Sequence, residues 1–119
     1  MTKKHEKPEL ILEQNCCNIA RQKGLVAVKL EKNKHKGIPD YMFIQEGGKC
    51  LFVEFKRPDG RGVASDEQLF WAKFLGYSHR FIDNVGEFEH TIEWYFDHIK
   101  HTIPVPQFPK NRIVIGDTC

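Results

Sequence analysis

Asp40 and Glu54 stand fourteen residues apart, and Lys56 follows Glu54 by two. Asp40 ends the run Gly37-Ile38-Pro39-Asp40, and Glu54 sits inside the apolar stretch Leu51-Phe52-Val53-Glu54-Phe55-Lys56. A charged residue embedded in such a stretch is seldom left without a partner. A hard divalent cation is one such partner, because Mg²⁺ and Mn²⁺ are held by one or two carboxylates, water and substrate phosphate. Asp40 and Glu54 supply the carboxylates, and the Phe55 carbonyl is a candidate further ligand. Lys56 could orient an attacking water or stabilise a developing oxyanion. The chemistry indicated is hydrolysis of a phosphodiester.

The residues between them read as a β-hairpin. Residues 41–45 and 50–56 are strand-like and flank Glu46-Gly47-Gly48-Lys49. Side chains alternate faces along a strand, so Leu51, Val53 and Phe55 share one face and Phe52, Glu54 and Lys56 the other. Two registers are open. A two-residue turn at Gly47-Gly48 pairs Asp40 with Phe55. A three-residue loop from Glu46 to Gly48 pairs Asp40 with Glu54. The chemistry requires the second pairing, or a bulge near Pro39 with the same effect.

Further elements must carry the site. Residues 8–23 read as a helix, with Pro8 at its start, Gly24 beyond its end, and Leu12, Cys16 and Ile19 as an apolar stripe. Residues 25–30 read as a strand. Ser65-Asp66-Glu67-Gln68 is a capping-box pattern opening a helix to about Leu75, stopped by Gly76. Its Leu69, Phe70, Trp71 and Phe74 predict packing on the sheet. Residues 78–83 read as a strand. Residues 87–101 read as an amphipathic helix with Phe88, Ile92, Tyr95, Phe96 and Ile99 on its stripe and Trp94 off it. Pro104, Pro106 and Pro109 then break any helix, and Arg112-Ile113-Val114-Ile115 reads as a tail strand. That strand would pair with its own sheet or with a partner chain.

Together these segments resemble the VRR-NUC (virus-type replication-repair nuclease) family of the PD-(D/E)XK nuclease superfamily. The matching residues are Gly37-Ile38-Pro39-Asp40, Leu51 to Pro58, Ser65-Asp66-Glu67-Gln68, Trp71 and Leu75-Gly76. The resemblance spans roughly residues 9–100. It implies an α/β fold, an αβββαβ restriction-endonuclease-like core of mixed sheet flanked by helices, here with an extra C-terminal helix and the tail strand. It implies cleavage of branched DNA with Mg²⁺ or Mn²⁺, as by a Holliday-junction resolvase, in a homodimer. It also implies that a glutamate of the first helix joins the metal site, either Glu13 or Glu9, with spacing slightly in favour of Glu13. Gln68 would contact the site as well as cap its helix. A flap nuclease, a restriction-type nuclease and a catalytically silent DNA-binding module are the alternatives.

Composition sets bounds. The 119 residues suit one domain, 1–119, with residues 102–119 as an arm. A net charge of +2 does not by itself call for nucleic acid, but residues 1–36 hold nine Lys or Arg against four Asp or Glu. Lys32, Lys34 and Lys36, just before the site, and Arg57 and Arg61, just after it, are candidate phosphate contacts. Cys16, Cys17, Cys50 and Cys119 show no zinc spacing and read as free thiols of a reducing compartment. No apolar stretch approaches membrane-spanning length. The expected location is the cytoplasm of a bacterial or phage-infected cell.

Overall fold

A computed structural model describes residues 7–31 and 35–96. In order the elements are α1 (Pro8–Gln22), β1 (Val26–Lys29), β2 (Tyr41–Ile44), β3 (Cys50–Phe55), α2 (Asp66–Leu75), β4 (His79–Ile82) and α3 (Val85–Tyr95), with a single 3₁₀ turn over Gly76–Ser78. The sheet order is β1-β2-β3-β4. The first three strands are antiparallel and β4 runs parallel to β3. This is the mixed sheet with flanking helices that the sequence predicts. Lys32, Lys34, the helix beyond residue 96 and the proline-rich arm with its tail strand lie outside the described residues.

The core forms because one face of the sheet is apolar at its centre. Phe43, Leu51, Val53, Phe55 and Ile82 are buried there. Helix α1 covers them with Leu12, Cys16 and Ala20, which recur every four residues. Helix α3 adds Phe88, Ile92 and Phe96. The rings of Phe43 and Phe88 approach to 5.1 Å between centroids, within the range of favourable tilted aromatic packing. Asn84 caps α3, its side-chain oxygen accepting from Glu87 N–H at 2.8 Å. At the far end, the Tyr95 hydroxyl donates to the Cys50 carbonyl at 2.8 Å and ties α3 to β3.

The hairpin adopts the three-residue register. Gln45 N–H donates to Lys49 O at 2.8 Å, Gly48 N–H returns to Gln45 O at 2.8 Å, and Tyr41 pairs with Val53. Gly47 and Gly48 take φ values of +104° and +108°, which glycine adopts without steric cost.

One expectation needs correction. Helix α2 lies over the opposite face but buries none of its side chains. Trp71, Ala72 and Leu75 are half-buried toward the sheet, whereas Leu69, Phe70 and Phe74 face outward and are exposed. The apolar residues surround the helix, and the sheet can cover only one side of it.

Candidate active site

Asp40 stands one residue before β2 and is fixed from both sides. Its backbone carbonyl accepts from Leu30 N–H at 2.9 Å, extending the β1 pairing. Its Oδ2 accepts from Phe55 N–H at 2.7 Å. Continuing the hairpin register from Tyr41 and Val53 sets Asp40 opposite Glu54. Lys56 is anchored in turn to β4, its N–H donating to Ile82 O at 2.8 Å.

Glu54 is 4% exposed, and its chemistry is set by two neighbours. Gln68 Nε2 donates to Glu54 Oε2 at 2.8 Å. Lys56 Nζ donates to Gln68 Oε1 at 2.6 Å and lies 3.9 Å from Glu54 Oε2. The Gln68 amide therefore joins the carboxylate to the ammonium. The same Oε1 accepts Ser65 N–H at 3.1 Å, and the Ser65 hydroxyl accepts Gln68 N–H at 3.1 Å, completing the capping box. One side chain makes both the cap and the contact to Glu54. The Val63 carbonyl, 3.2 Å from Lys56 Nζ, is a further acceptor.

The structure distinguishes the two helix glutamates. Glu13 comes from α1 with its side chain 12% exposed. Burial, and then the charge of Asp40, push its carboxyl above the usual range. Its Oε1 is buried without a hydrogen bond. The ammonium of Lys29 stands 3.7 Å away, beyond hydrogen-bond reach, and is itself 65% exposed. Glu9 acts on Glu13 only through its charge. An ionised Glu13 facing Asp40 is held at a cost that a cation would relieve, so the donor set fits a hard divalent ion. Glu13, Asp40, Glu54 and the Phe55 carbonyl are the residues that would hold it. Among the described residues, no group of three or more His, Cys, Asp or Glu side chains is gathered closely enough to hold a metal ion by itself.

The flanking cations are placed less tightly. Lys36 is exposed. Arg57 and Arg61 are both gathered by Asp59, whose carboxylate accepts from Arg57 Nη2 at 2.8 Å and from Arg61 N–H at 2.9 Å. Asp59 lies in the turn at Pro58-Asp59-Gly60, residue types that favour one. A cleft of about 240 Å³ opens beside Lys56 and Arg57, floored by Phe81 and walled by Gly60, Gly62 and Ala64.

Gly37 makes a contact that local pattern does not reveal. Its φ is +81°, and a Cβ there would fall 2.5 Å from the Glu67 carbonyl carbon and 2.7 Å from Gln68 N. The segment leading to Asp40 is therefore pressed against the backbone of α2. His35, two residues earlier, meets Trp71 edge-on at 5.9 Å.

No family profile matches the sequence, and no curated protein does. A solved structure described as a VRR_NUC domain superposes with a TM-score of 0.67 at 22% identity, over 76% of this chain and 99% of that one. The chain has the fold of a VRR_NUC domain. That agrees with the resemblance carried by the Pro39-Asp40 and Glu54-Phe55-Lys56 segments. Among the described residues, no helix is long and apolar enough to cross a membrane.

Proposed function

We propose that this chain is a Mg²⁺- or Mn²⁺-dependent endodeoxyribonuclease that selects branched DNA, as a Holliday-junction resolvase does, and works as a homodimer in the cytoplasm. The observation that carries the reading is the Gln68 bridge between Glu54 and Lys56, with Asp40 set opposite Glu54. A strand pair in a VRR_NUC fold that presents two carboxylates and a lysine on one face has the parts needed to cut a phosphodiester. The three cysteines among the described residues are unpaired, which suits a reducing compartment.

The bound cation would neutralise charge on the phosphate and lower the pKa of a water. Asp40 and Glu54 would hold that ion, and Glu13 would complete its carboxylate set. Lys56, held by Gln68 and the Val63 carbonyl, sits where it can position the attacking water or meet the developing negative charge. Gln68 keeps both partners in place from the first turn of α2. Arg57, Arg61 and Lys36, with Lys32 and Lys34, supply phosphate contacts along the strand.

The test is cleavage of a labelled four-way junction, a 5′ flap and plain duplex, with Mg²⁺ and with Mn²⁺, beside the Asp40→Ala and Lys56→Ala proteins. The expected result is metal-dependent cutting of the junction, reduced about 10²- to 10³-fold in each variant. Preference for the flap would reassign the substrate. Tight junction binding without cutting under either metal would point to a DNA-binding module instead.

A further inference from the structure

Strands β3 and β4 are parallel neighbours, yet the chain leaves them in opposite directions. After β3 it crosses to α2 on the Glu54 face, and after β4 it crosses to α3 on the Phe55 face. In open α/β sheets, the crevice at such a divergence, outside the carboxyl ends of the strands, is where ligands bind. The cleft of about 240 Å³ lies there. Lys56 and Arg57 line it from the end of β3, and Asp83 and Glu87 from the end of β4 and the first turn of α3. Phe81 is its floor, and Lys56 Nζ stands 5.8 Å from the centre of that ring.

The charges of the cleft are not spent on one another. Lys56 Nζ is taken by Gln68 and the Val63 carbonyl, and Arg57 by Asp59. Asp83 Oδ1 accepts from Asn84 Nδ2 at 2.9 Å, and Glu87 Oε1 lies 3.4 Å from the same nitrogen. Among the described residues, neither carboxylate is ion-paired. An ionised carboxylate accepts through about four lone pairs, so most of the acceptor capacity of the two remains.

We propose that the cleft takes one unstacked nucleobase whose edge carries an amino group: guanine, cytosine or adenine in preference to thymine. Its volume is below the roughly 300–1,000 Å³ of pockets for drug-sized ligands, and suits a single planar ring system. Phe81 offers an aromatic surface for stacking. Gly60, Gly62 and Ala64 keep the wall free of bulk. The carboxylates accept from N–H groups, as Asp and Glu do from the amino group of cytosine. Thymine has no amino group and presents carbonyl oxygens, which the carboxylates repel. Lys56 and Arg57 meet the phosphate of the same nucleotide. Carboxylates beside an aromatic ring would also suit a cation, but Lys56 and Arg57 oppose one.

A base seated there is unpaired, so its nucleotide belongs to a branch, a flap or a strand end and not to intact duplex. That consequence, with its place beside the phosphate being cut, rests on the nuclease reading. The cleft and its base preference do not.

The test is a titration of the isotope-labelled full chain with dGMP, dCMP and dTMP in EDTA, followed by the backbone amide NMR signals. The expected result is saturable shifts at Gly60, Gly62, Ala64 and Asp83, with a Kd for dTMP about tenfold weaker than for dGMP or dCMP. The double variant Asp83→Asn with Glu87→Gln should bind all three nucleotides alike. Ala64→Leu, which fills the cleft, should weaken all three. The same spectra report whether each variant is folded, and the comparison of nucleotides on the wild type needs neither. Equal binding of the three by the wild type would overturn the proposal and leave a phosphate contact alone. So would shifts confined to other residues, or no saturable shift at all. No metal is present and no cleavage is measured, so failure here and failure of the nuclease reading are separate results.

Discussion

On one face of the sheet, Phe43, Leu51, Val53, Phe55 and Ile82 are sealed beneath α1 and α3. On the other, Glu54, Lys56 and Phe81 lie beneath α2, which buries none of its side chains. The first face is held by apolar area and close packing, which are non-directional. The second is held by a few directional hydrogen bonds through Gln68, each needing its partner at one distance. A single strand serves both, because Phe55 and Glu54 point in opposite directions. Stability is concentrated on one side of β3 and the candidate site on the other.

Damage to the two faces should therefore have different signatures. The largest effect is expected from Phe88→Ala, which opens a cavity against Phe43 and Phe55. It should cost about 3–5 kcal/mol in urea unfolding, while the fraction that remains folded keeps its activity per molecule.

Next comes His79, on the α2 face, whose imidazole packs against Phe81 at 4.7 Å. Burial, helped by neighbouring Arg80, pulls its pKa down from 6.5 to about 4. A depressed pKa means that the neutral ring is favoured in the folded state. The stabilisation is thus complete above about pH 6.5 and lost as pH falls toward 4. The difference in unfolding free energy between wild type and His79→Leu should change across that window by up to about 3 kcal/mol. A difference that stays constant with pH would contradict the assignment. Glu13 acts in the opposite sense, since its raised pKa costs stability as pH rises through its range.

Gly37→Ala sharpens the comparison further. Its positive φ alone should cost about 1–2 kcal/mol. The added methyl also meets the backbone of Glu67 and Gln68, so cleavage should fall further than stability does. Equal losses would mean that the contact is merely structural.

The smallest change in stability is expected at Gln68, where two variants separate its two roles. Gln68→Ala should cost about 1 kcal/mol through the lost cap as well as activity. Gln68→Glu keeps the acceptor for Ser65 N–H but sets a second carboxylate against buried Glu54, so it should lose cleavage and also lose stability as pH rises and both groups are driven to ionise. Near-normal cutting by Gln68→Glu would remove the bridge from the account.

Much of this division was legible in the sequence. Alternation in Leu51 to Lys56 sorted the two faces of β3, and Ser65 to Gln68 marked the start of α2, because both depend on residues close in the chain. The hairpin register stayed open because two loop lengths suit Gly47-Gly48. It is settled by the Gln45–Lys49 hydrogen bonds. Glu9 and Glu13 share a helix face, and only the seating of α1 on the sheet brings Glu13 under the influence of Asp40. The approach of Gly37 to α2 joins segments thirty residues apart, which no local spacing encodes. The outward rings of α2 misled because apolar residues report burial without naming what covers them.

The most direct test of the central claim is a calorimetric titration of Mn²⁺ into wild type, Asp40→Ala and Glu13→Gln, with each fold checked by circular dichroism. The account predicts saturable Mn²⁺ binding by the wild type, abolished in Asp40→Ala and weakened in Glu13→Gln. Equal Mn²⁺ binding by all three proteins would contradict a cation site built on these carboxylates.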